Sequence, residues 1–317
     1  MTEPRILFAG TPEIAVPLLK ALSSSFNVVG VLTSCDRSVG RSSRLVPTPV
    51  KAAAAELGIP VLQFESLRTP ARQAVRELRA DTLVTFAFGK IFGPLFLDLF
   101  PNGRFNIHPS ALPQFRGPSP IQSTILSGLD RATISLQDVG LKMDEGDIWG
   151  IHEIPLTGKE STQSLTSLVS SEAAAFVPAL LRRIVSGEVT ARPQEGDASY
   201  CTMITRETGT LDFNSSAMEL HCRIRACYPW PKAWAKVNGT DIAITEVWGG
   251  FDDVASSEDC TDKEPGTVVA YRKDRGIGVA CADKVLWLTG LQLPAKKELD
   301  YKAFVNGNQW ILKSRFE

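Results

Sequence analysis

The segment RFNIHPSALPQFRGPSPIQ, residues 104–122, places an asparagine and a histidine two positions apart, Asn106 and His108, ahead of a run rich in proline. If RFNIH is a strand, alternate side chains share a face, so both polar groups reach the same place at its carboxyl end. An amide donor beside an imidazole suits stabilisation of negative charge developing on a carbonyl oxygen, with the imidazole also moving a proton. The prolines and Gly117 give the following segment the stiffness and tight turning to wall such a site. An imidazole poised to act needs an orienting partner. The stretch DVGLKMDEGDIWG supplies Asp138, Asp144, Glu145 and Asp147, and spacing alone does not choose among them. His152, inside a strand pattern, and His221, on a helix, read as packing or surface residues.

The elements that must position these groups are legible upstream. Apolar runs alternate with helical patterns: RILFAG, then AVPLLKALSSS, NVVGVLTS, VKAAAAELG, IPVLQ, RQAVRELRA, DTLVTFAFG, PLFLDLF and RFNIH. That order predicts a mostly parallel sheet covered by helices on both faces, with ligands gathered outside the carboxyl ends of its strands. A helix capped by Ser119, begun by Pro120 and stopped at Gly128 follows, then strands at ATISLQ and DIWGIHEIPL and a long helix through AAAFVPALLRRIVSG. Residues 1–188 are therefore read as one domain and residues 189–206, containing TARPQEGDAS, as a linker. Residues 207–317 change to short strands and turns, including Asn238-Gly239 and Lys273 to Gly276, a pattern that suggests a small β-barrel.

Composition narrows the classes. The 317 residues favour two domains, and 44% hydrophobic with 22% charged residues excludes disordered and fibrous chains. A net charge of -1 excludes a chain basic throughout, while leaving local basic surfaces open to nucleic acid. Six cysteines without a CxxC pair read as reduced thiols in a cytoplasmic protein. No signal peptide is evident and no apolar run is read as membrane-spanning. FAGTP, residues 8–12, has one glycine and falls short of a dinucleotide fingerprint; it reads as a turn at the edge of the site.

The motif FNIHPSALPQFRGPSPIQ resembles the signature of the formyltransferases that use 10-formyltetrahydrofolate. FAGTPEIAVPLLKAL, VPTPVKAAAAELGIPVLQ and RIRACYPWPKAW extend the resemblance over nearly the whole chain, toward the branch that formylates initiator methionyl-tRNA. The resemblance implies an α/β, Rossmann-like, mostly parallel sheet of formyltransferase fold followed by a small C-terminal OB-type β-barrel that helps to hold tRNA. It implies catalytic roles for Asn106, His108 and Asp144, with Asp144 orienting His108 and favouring its protonated form. It implies folate contacts at Ser110, Ala111, Leu112 and Pro113 and a pterin pocket near Phe88 and Gly89. Asp144 is matched through the D-x-G-D part of the acidic loop, because Lys142 and Met143 interrupt the usual run; Asp138 is the lesser alternative. Ala111 departs from the usual leucine, with a looser folate contact as the consequence.

The loop 35–51 carries Arg37, Arg41, Arg44 and Lys51 against Asp36, and the resemblance assigns it to the tRNA acceptor end through Arg41. Arg223, Arg225, Lys296, Lys297 and Lys302 are expected to share that load. The implied cosubstrates are 10-formyltetrahydrofolate and initiator methionyl-tRNA, with no metal, no membrane, and a monomeric cytoplasmic enzyme. The rival readings are a formyltransferase with a small amine acceptor, such as glycinamide ribonucleotide or an amino sugar, and a non-catalytic nucleic-acid-binding protein. The second leaves Asn106, His108 and Asp144 without a purpose.

Overall fold

The alternation of apolar runs and helical patterns produces the expected strands and helices in the computed structural model, which describes residues 3–38 and 45–317. The strands are β1 (Arg5–Gly10), β2 (Asn27–Thr33), β3 (Arg37–Ser38), β4 (Leu45–Val46), β5 (Val61–Gln63), β6 (Thr82–Phe86), β7 (Gly103–His108), β8 (Arg131–Asp138) and β9 (Ile148–Pro155). Between them lie α1 (Val16–Ser23), α2 (Pro49–Glu56), α3 (Thr69–Glu77), α4 (Pro94–Leu97) and α5 (Pro120–Leu126), with α6 (Thr162–Val185) after β9. Seven strands form one sheet in the order β5-β2-β1-β6-β7-β8-β9, and β3 pairs with β4 alone. The pairs from β5 to β7 are parallel and β7–β8 is antiparallel. β6 is buried along its whole length, as a parallel strand covered on both faces must be. Chain order reverses at β1, so the carboxyl ends of β1, β6 and β7 come together at the switch where such sheets bind ligands.

Aromatic packing fixes the segment between β6 and β7. Phe88, Phe92, Phe96 and Phe100 recur every four residues and are buried with Leu7, Leu32 and Leu83. Their successive ring centroids lie 5.4, 5.4 and 5.6 Å apart. Burying each such ring contributes roughly 2 to 3 kcal/mol, which anchors the loop at residues 87–93 from below. α6 is long and apolar enough, by length and composition, to cross a membrane, contrary to the sequence expectation. Its Val169, Ala173, Val177, Leu180 and Leu181 are buried at helical spacing, the stripe of a helix packed along one face. At α5, Pro120 takes the first turn and Gly128 (φ +62) follows the end. Ser119 makes no side-chain cap; its Oγ donates to the Thr202 carbonyl instead.

The remaining elements are α7 (Ala217–Ala226), β10 (Ala233–Val237), β11 (Thr240–Val247), α8 (Phe251–Ala255), β12 (Val268–Arg272), β13 (Gly276–Ala280), β14 (Val285–Gln292), β15 (Leu299–Asp300) and α9 (Tyr301–Gly307). Asn238 and Gly239, both at positive φ (49° and 75°), make the two-residue turn joining β10 to β11. The sheet runs β10-β11-β14-β13-β12, with β15 on β14. Among the described residues its end strands do not pair with each other, so the closed barrel that the turn pattern suggested is not shown; the C-terminal residues bond to both, the Glu317 amide donating to the Lys236 carbonyl at 2.8 Å and the Val268 amide to the Ser314 carbonyl at 3.1 Å. Its core holds Leu220, Ile224, Ile242, Ile244, Leu288 and Phe304.

Two compact units result. One comprises Met1–Gly117, Thr133–Glu153 and Thr166–Tyr200, and the other Pro118–Ala132, Ile154–Leu165 and Cys201–Glu317.

Candidate active site

The β7–β8 register builds the polar face. Asn106 stands opposite Gln137 and His108 opposite Ser135, while Phe105 faces Asp138 and Ile107 faces Leu136. Residues paired across an antiparallel ladder share a face, so Asn106, His108, Ser135 and Gln137 form one polar patch at the carboxyl end of β7. Asp138 falls on the opposite face. Its Oδ1 accepts a 2.8 Å bond from Trp149 Nε1, and burial raises its carboxyl above the ordinary 3.8.

Asp144 completes the patch from the loop after β8. Its Oδ1 accepts from Gln137 Nε2 at 2.9 Å and from Asn106 Nδ2 at 3.4 Å, and its Oδ2 accepts from the Gly117 amide at 2.9 Å. Three donors on one carboxylate fix its direction, each bond to a charged group contributing about 1.5 to 3 kcal/mol. The residue sits at φ +54°, in the left-handed region that aspartate tolerates better than most residues. Gly146 lets the loop close, because a Cβ there would lie 1.9 Å from the Asp138 carbonyl oxygen.

His108 Nδ1 lies 3.6 Å from Asp144 Oδ1, and Nε2 lies 2.9 Å from the Phe115 carbonyl. A carbonyl can accept and never donate, so Nε2 carries a hydrogen and Nδ1 is the nitrogen that faces the carboxylate. Burial pushes the imidazole below the ordinary 6.5, outweighing the opposing pull of Asp144 and of the Phe115 carbonyl. The resting ring is thus neutral. Asp144 pulls toward the protonated form, as the sequence reading expects, but burial outweighs that pull.

The other predicted residues divide. Ser110 is buried, donating to the Gln114 carbonyl at 2.6 Å while its own carbonyl accepts from Ser135 Oγ at 2.7 Å. Leu112 and Pro113 are buried, and Ala111 is exposed beside them. Phe88 lies in the aromatic core, whereas Gly89 (φ +79) is exposed, with open space where a side chain would stand. In the acidic loop Glu145 pairs with Arg116 at 3.5 Å and Lys142 at 3.4 Å.

Among the basic residues, Arg37 is exposed on β3, and Arg41 and Arg44 lie outside the described residues. Lys51 is engaged by Asp36 at 2.6 Å. Arg223 pairs with Glu219 at 3.0 Å, and Lys296, Lys297 and Lys302 are exposed. Arg225 is a correction. It is 6% exposed, donating to His221 Nδ1 (3.2 Å), the Glu160 carbonyl (2.9 Å) and Cys222 Sγ (3.2 Å), so its guanidinium serves the interior rather than a phosphate. His221 and His152 are structural as expected: His221 is fully buried, and His152 pairs with Glu172 at 2.8 Å. Among the described residues no group of three or more His, Cys, Asp or Glu could hold a metal ion.

Sequence reading missed Ser135, Gln137 and Gln194. The first two were visible in ATISLQ, where Thr133, Ser135 and Gln137 alternate with Ile134 and Leu136, a polar face in register with Asn106 and His108. Gln194 left no such signal, since it belongs to a segment without periodicity.

Asn106, His108 and Asp144 thus meet at the carboxyl edge of the parallel strands, where sheets of this kind bind ligands. The chain belongs to the formyl transferase family: residues 4–181 match the formyl transferase model and residues 203–309 match the formyl transferase C-terminal domain. It is 37% identical over 322 residues to a methionyl-tRNA formyltransferase of Treponema denticola, covering 99% of each chain. A methionyl-tRNA formyltransferase of Treponema pallidum (strain Nichols) is 38% identical over 321 residues, covering 98% of each. The solved structure of the methionyl-tRNA formyltransferase from Clostridium thermocellum covers 77% of this chain and 93% of its own, at 16% identity and a TM-score of 0.55, a likeness of fold.

Proposed function

We propose that this protein transfers the formyl group of 10-formyltetrahydrofolate to the free amine of methionyl initiator tRNA, with Asn106, His108 and Asp144 as its catalytic residues. The observation that carries this reading is the convergence of Asn106 Nδ2 and His108 Nδ1 on one oxygen of Asp144. It is supported by near-complete alignment with relatives that bear the methionyl-tRNA formyltransferase name.

In the reaction the amine nitrogen attacks the formyl carbon, a new C–N bond forms, and the carbonyl oxygen gains negative charge. Asn106 donates to that oxygen, stabilisation worth about 3 kcal/mol per preorganised donor. His108 Nδ1, free of hydrogen in the neutral ring, takes the proton of the attacking amine. The imidazolium that results faces Asp144, whose charge stabilises it. As the bond from the formyl carbon to N10 breaks, the proton passes to N10 and the formylated amine leaves. Because burial lowers the His108 pKa, the neutral ring is already dominant at pH 7, and the acid limb of turnover falls below pH 6.5.

The donor folate is held by the rim formed by Ser110, Ala111, Leu112 and Pro113 and by the loop at Phe88 and Gly89. Gly89 suits this because nothing occupies the space over its Cα. Residues 1–188 carry the chemistry, 189–206 connect, and 207–317 act as an OB-type surface for tRNA. The exposed Lys296 and Lys297 support that role. Arg37, Arg41, Arg44 and Arg223 supply further phosphate contacts. The enzyme works as a monomer in the cytoplasm, without metal or membrane.

The test is acceptor choice: formyl transfer from 10-formyltetrahydrofolate to charged initiator tRNA, glycinamide ribonucleotide and an amino-sugar nucleotide at equal concentrations. Transfer to the tRNA alone supports the reading, and preference for either small amine replaces it.

A further inference from the structure

The segment after α6 that reads as linker frames the site on two sides. Arg192 exchanges backbone bonds with Ile148 at 2.7 and 3.0 Å, beside the acidic loop. Ser199 receives the Phe115 amide on its Oγ at 2.9 Å and donates its own amide to the Pro113 carbonyl at 3.2 Å. Between these anchors stands Gln194. Its Nε2 donates to the carbonyls of Asp144 (2.9 Å) and Gly146 (2.8 Å), and its Oε1 accepts from Arg116 Nε (3.2 Å) and Nη2 (2.7 Å). The orientation of the amide is unambiguous, since two carbonyls require donors and a guanidinium requires an acceptor.

We infer that Gln194 is a positioning residue for the reaction, tying the acidic loop to the Arg116–Gly117 turn so that the Asp144 carboxylate is aimed at His108. The tie closes a ring. Gln194 grips the Asp144 main chain and the Arg116 side chain, while the next residue, Gly117, donates its amide to Asp144 Oδ2. Tyr200 adds to the same clamp, its hydroxyl accepting from Arg116 Nη1 at 3.0 Å and donating to Glu145 Oε1 at 3.2 Å. A left-handed Asp144 persists only where its surroundings fix it, and the bonds from Gln194 sit on that residue's own carbonyl and that of Gly146. Without them the carboxylate loses its aim, and a misplacement of about 1 Å in a catalytic constellation costs on the order of 100-fold. The inference rests on the formyl-transfer reading for its kinetic consequence, but not for its effect on His108.

Two measurements on the full-length protein test it, with Gln194→Ala and Gln194→Met compared to wild type. Gln194→Met keeps the side-chain volume and loses both donations to the loop without adding a charge that would itself raise the His108 inflection, so it stands in if the alanine variant does not fold. The first measurement is NMR titration of the histidine ring signals in the free protein, with His221 as internal reference. Asp144 supplies the charge acting on His108 among the described residues, so the His108 inflection moves to lower pH in both variants, while that of His221 does not move. The second is steady-state transfer, where kcat falls on the order of 10- to 100-fold with KM for folate and tRNA little changed. An unchanged or raised His108 inflection overturns the inference, including when melting temperature and activity fall together, since that is the signature of a structural role. Wild-type protein inactive on tRNA would overturn the functional reading and leave the titration to decide on Gln194.

Discussion

Gln137 and Asn106 stand opposite one another in the β7–β8 register and turn their amide nitrogens onto the same oxygen of Asp144, at 2.9 and 3.4 Å. The shorter bond belongs to Gln137, which no catalytic motif includes. Gln137→Leu keeps the volume and removes the donor, at a cost of about 1.5 to 3 kcal/mol for a bond to a charged group. We expect a lower kcat with unchanged KM for the folate, read by steady-state kinetics. A rise in folate KM at constant kcat would assign Gln137 to binding instead.

Asp144 and Asp138 are separated by the face they occupy, and their asparagine variants differ accordingly. Asp144→Asn loses the charge that stabilises the His108 imidazolium, and turnover collapses. Asp138→Asn keeps an acceptor for Trp149, and turnover stays near wild type. Burial raises the Asp138 pKa, so the folded protein binds that proton more tightly than the unfolded chain does. The stability this contributes is present below the unfolded value of 3.8 and is lost as pH rises through the folded one. This gain at low pH offsets part of the loss that His221 causes, so the fall in melting temperature from pH 7 to pH 4 should be larger in Asp138→Asn than in wild type.

His221 makes the C-terminal sheet unit acid-sensitive. It is buried, it donates through Nε2 to the Gly249 carbonyl at 3.2 Å, and its Nδ1 accepts from Arg225, so both nitrogens are used by the neutral ring. Burial, with Arg225 adding to it, depresses the pKa from 6.5 to about 4. A depressed histidine pKa means that the unfolded chain binds the proton more tightly. Stability is therefore full above pH 6.5 and declines as pH falls toward about 4, a loss of about 3 kcal/mol. Thermal melts across that window check this, and a His221→Phe variant should show a shallower decline.

Exposed lysines and the buried arginine should respond in opposite ways. Lys296→Ala and Lys297→Ala each lower the salt dependence of the KM for charged tRNA by about one unit of slope, leaving melting temperature unchanged. Arg225→Ala should lower the melting temperature, costing about 1 to 3 kcal/mol for each buried partner left unsatisfied, with the salt slope intact. A flattened salt slope in Arg225→Ala would return that residue to the RNA surface.

The parallel sheet was legible because its strands are continuous apolar runs separated by helical patterns, and Asn106 and His108 because period-two alternation assigns a shared face from two positions alone. Two of the misses were of a different kind. Arg225 reads as a surface cation from its charge, and its burial depends on acceptors as distant in sequence as the Glu160 carbonyl. Gln194 works through two backbone carbonyls some fifty residues away, contacts that leave no mark on local periodicity. Closure of the C-terminal sheet depends on pairing between its end strands, which turn signals do not specify. The pull of Asp144 on His108 was legible because it is visible as a charge in the sequence, whereas the desolvation that outweighs it follows from packing.

In the proposed reaction Asn106 acts on the formyl carbonyl and His108 on the proton of the attacking amine, and neither serves to hold substrate. Single-turnover transfer from 10-formyltetrahydrofolate to charged initiator tRNA, at saturating concentrations of both, tests this in Asn106→Ala and His108→Ala. Each variant is expected to bind folate and tRNA as the wild type does and to lose the transfer step by about 100-fold or more. Transfer at the wild-type rate in either variant would remove that residue from the mechanism.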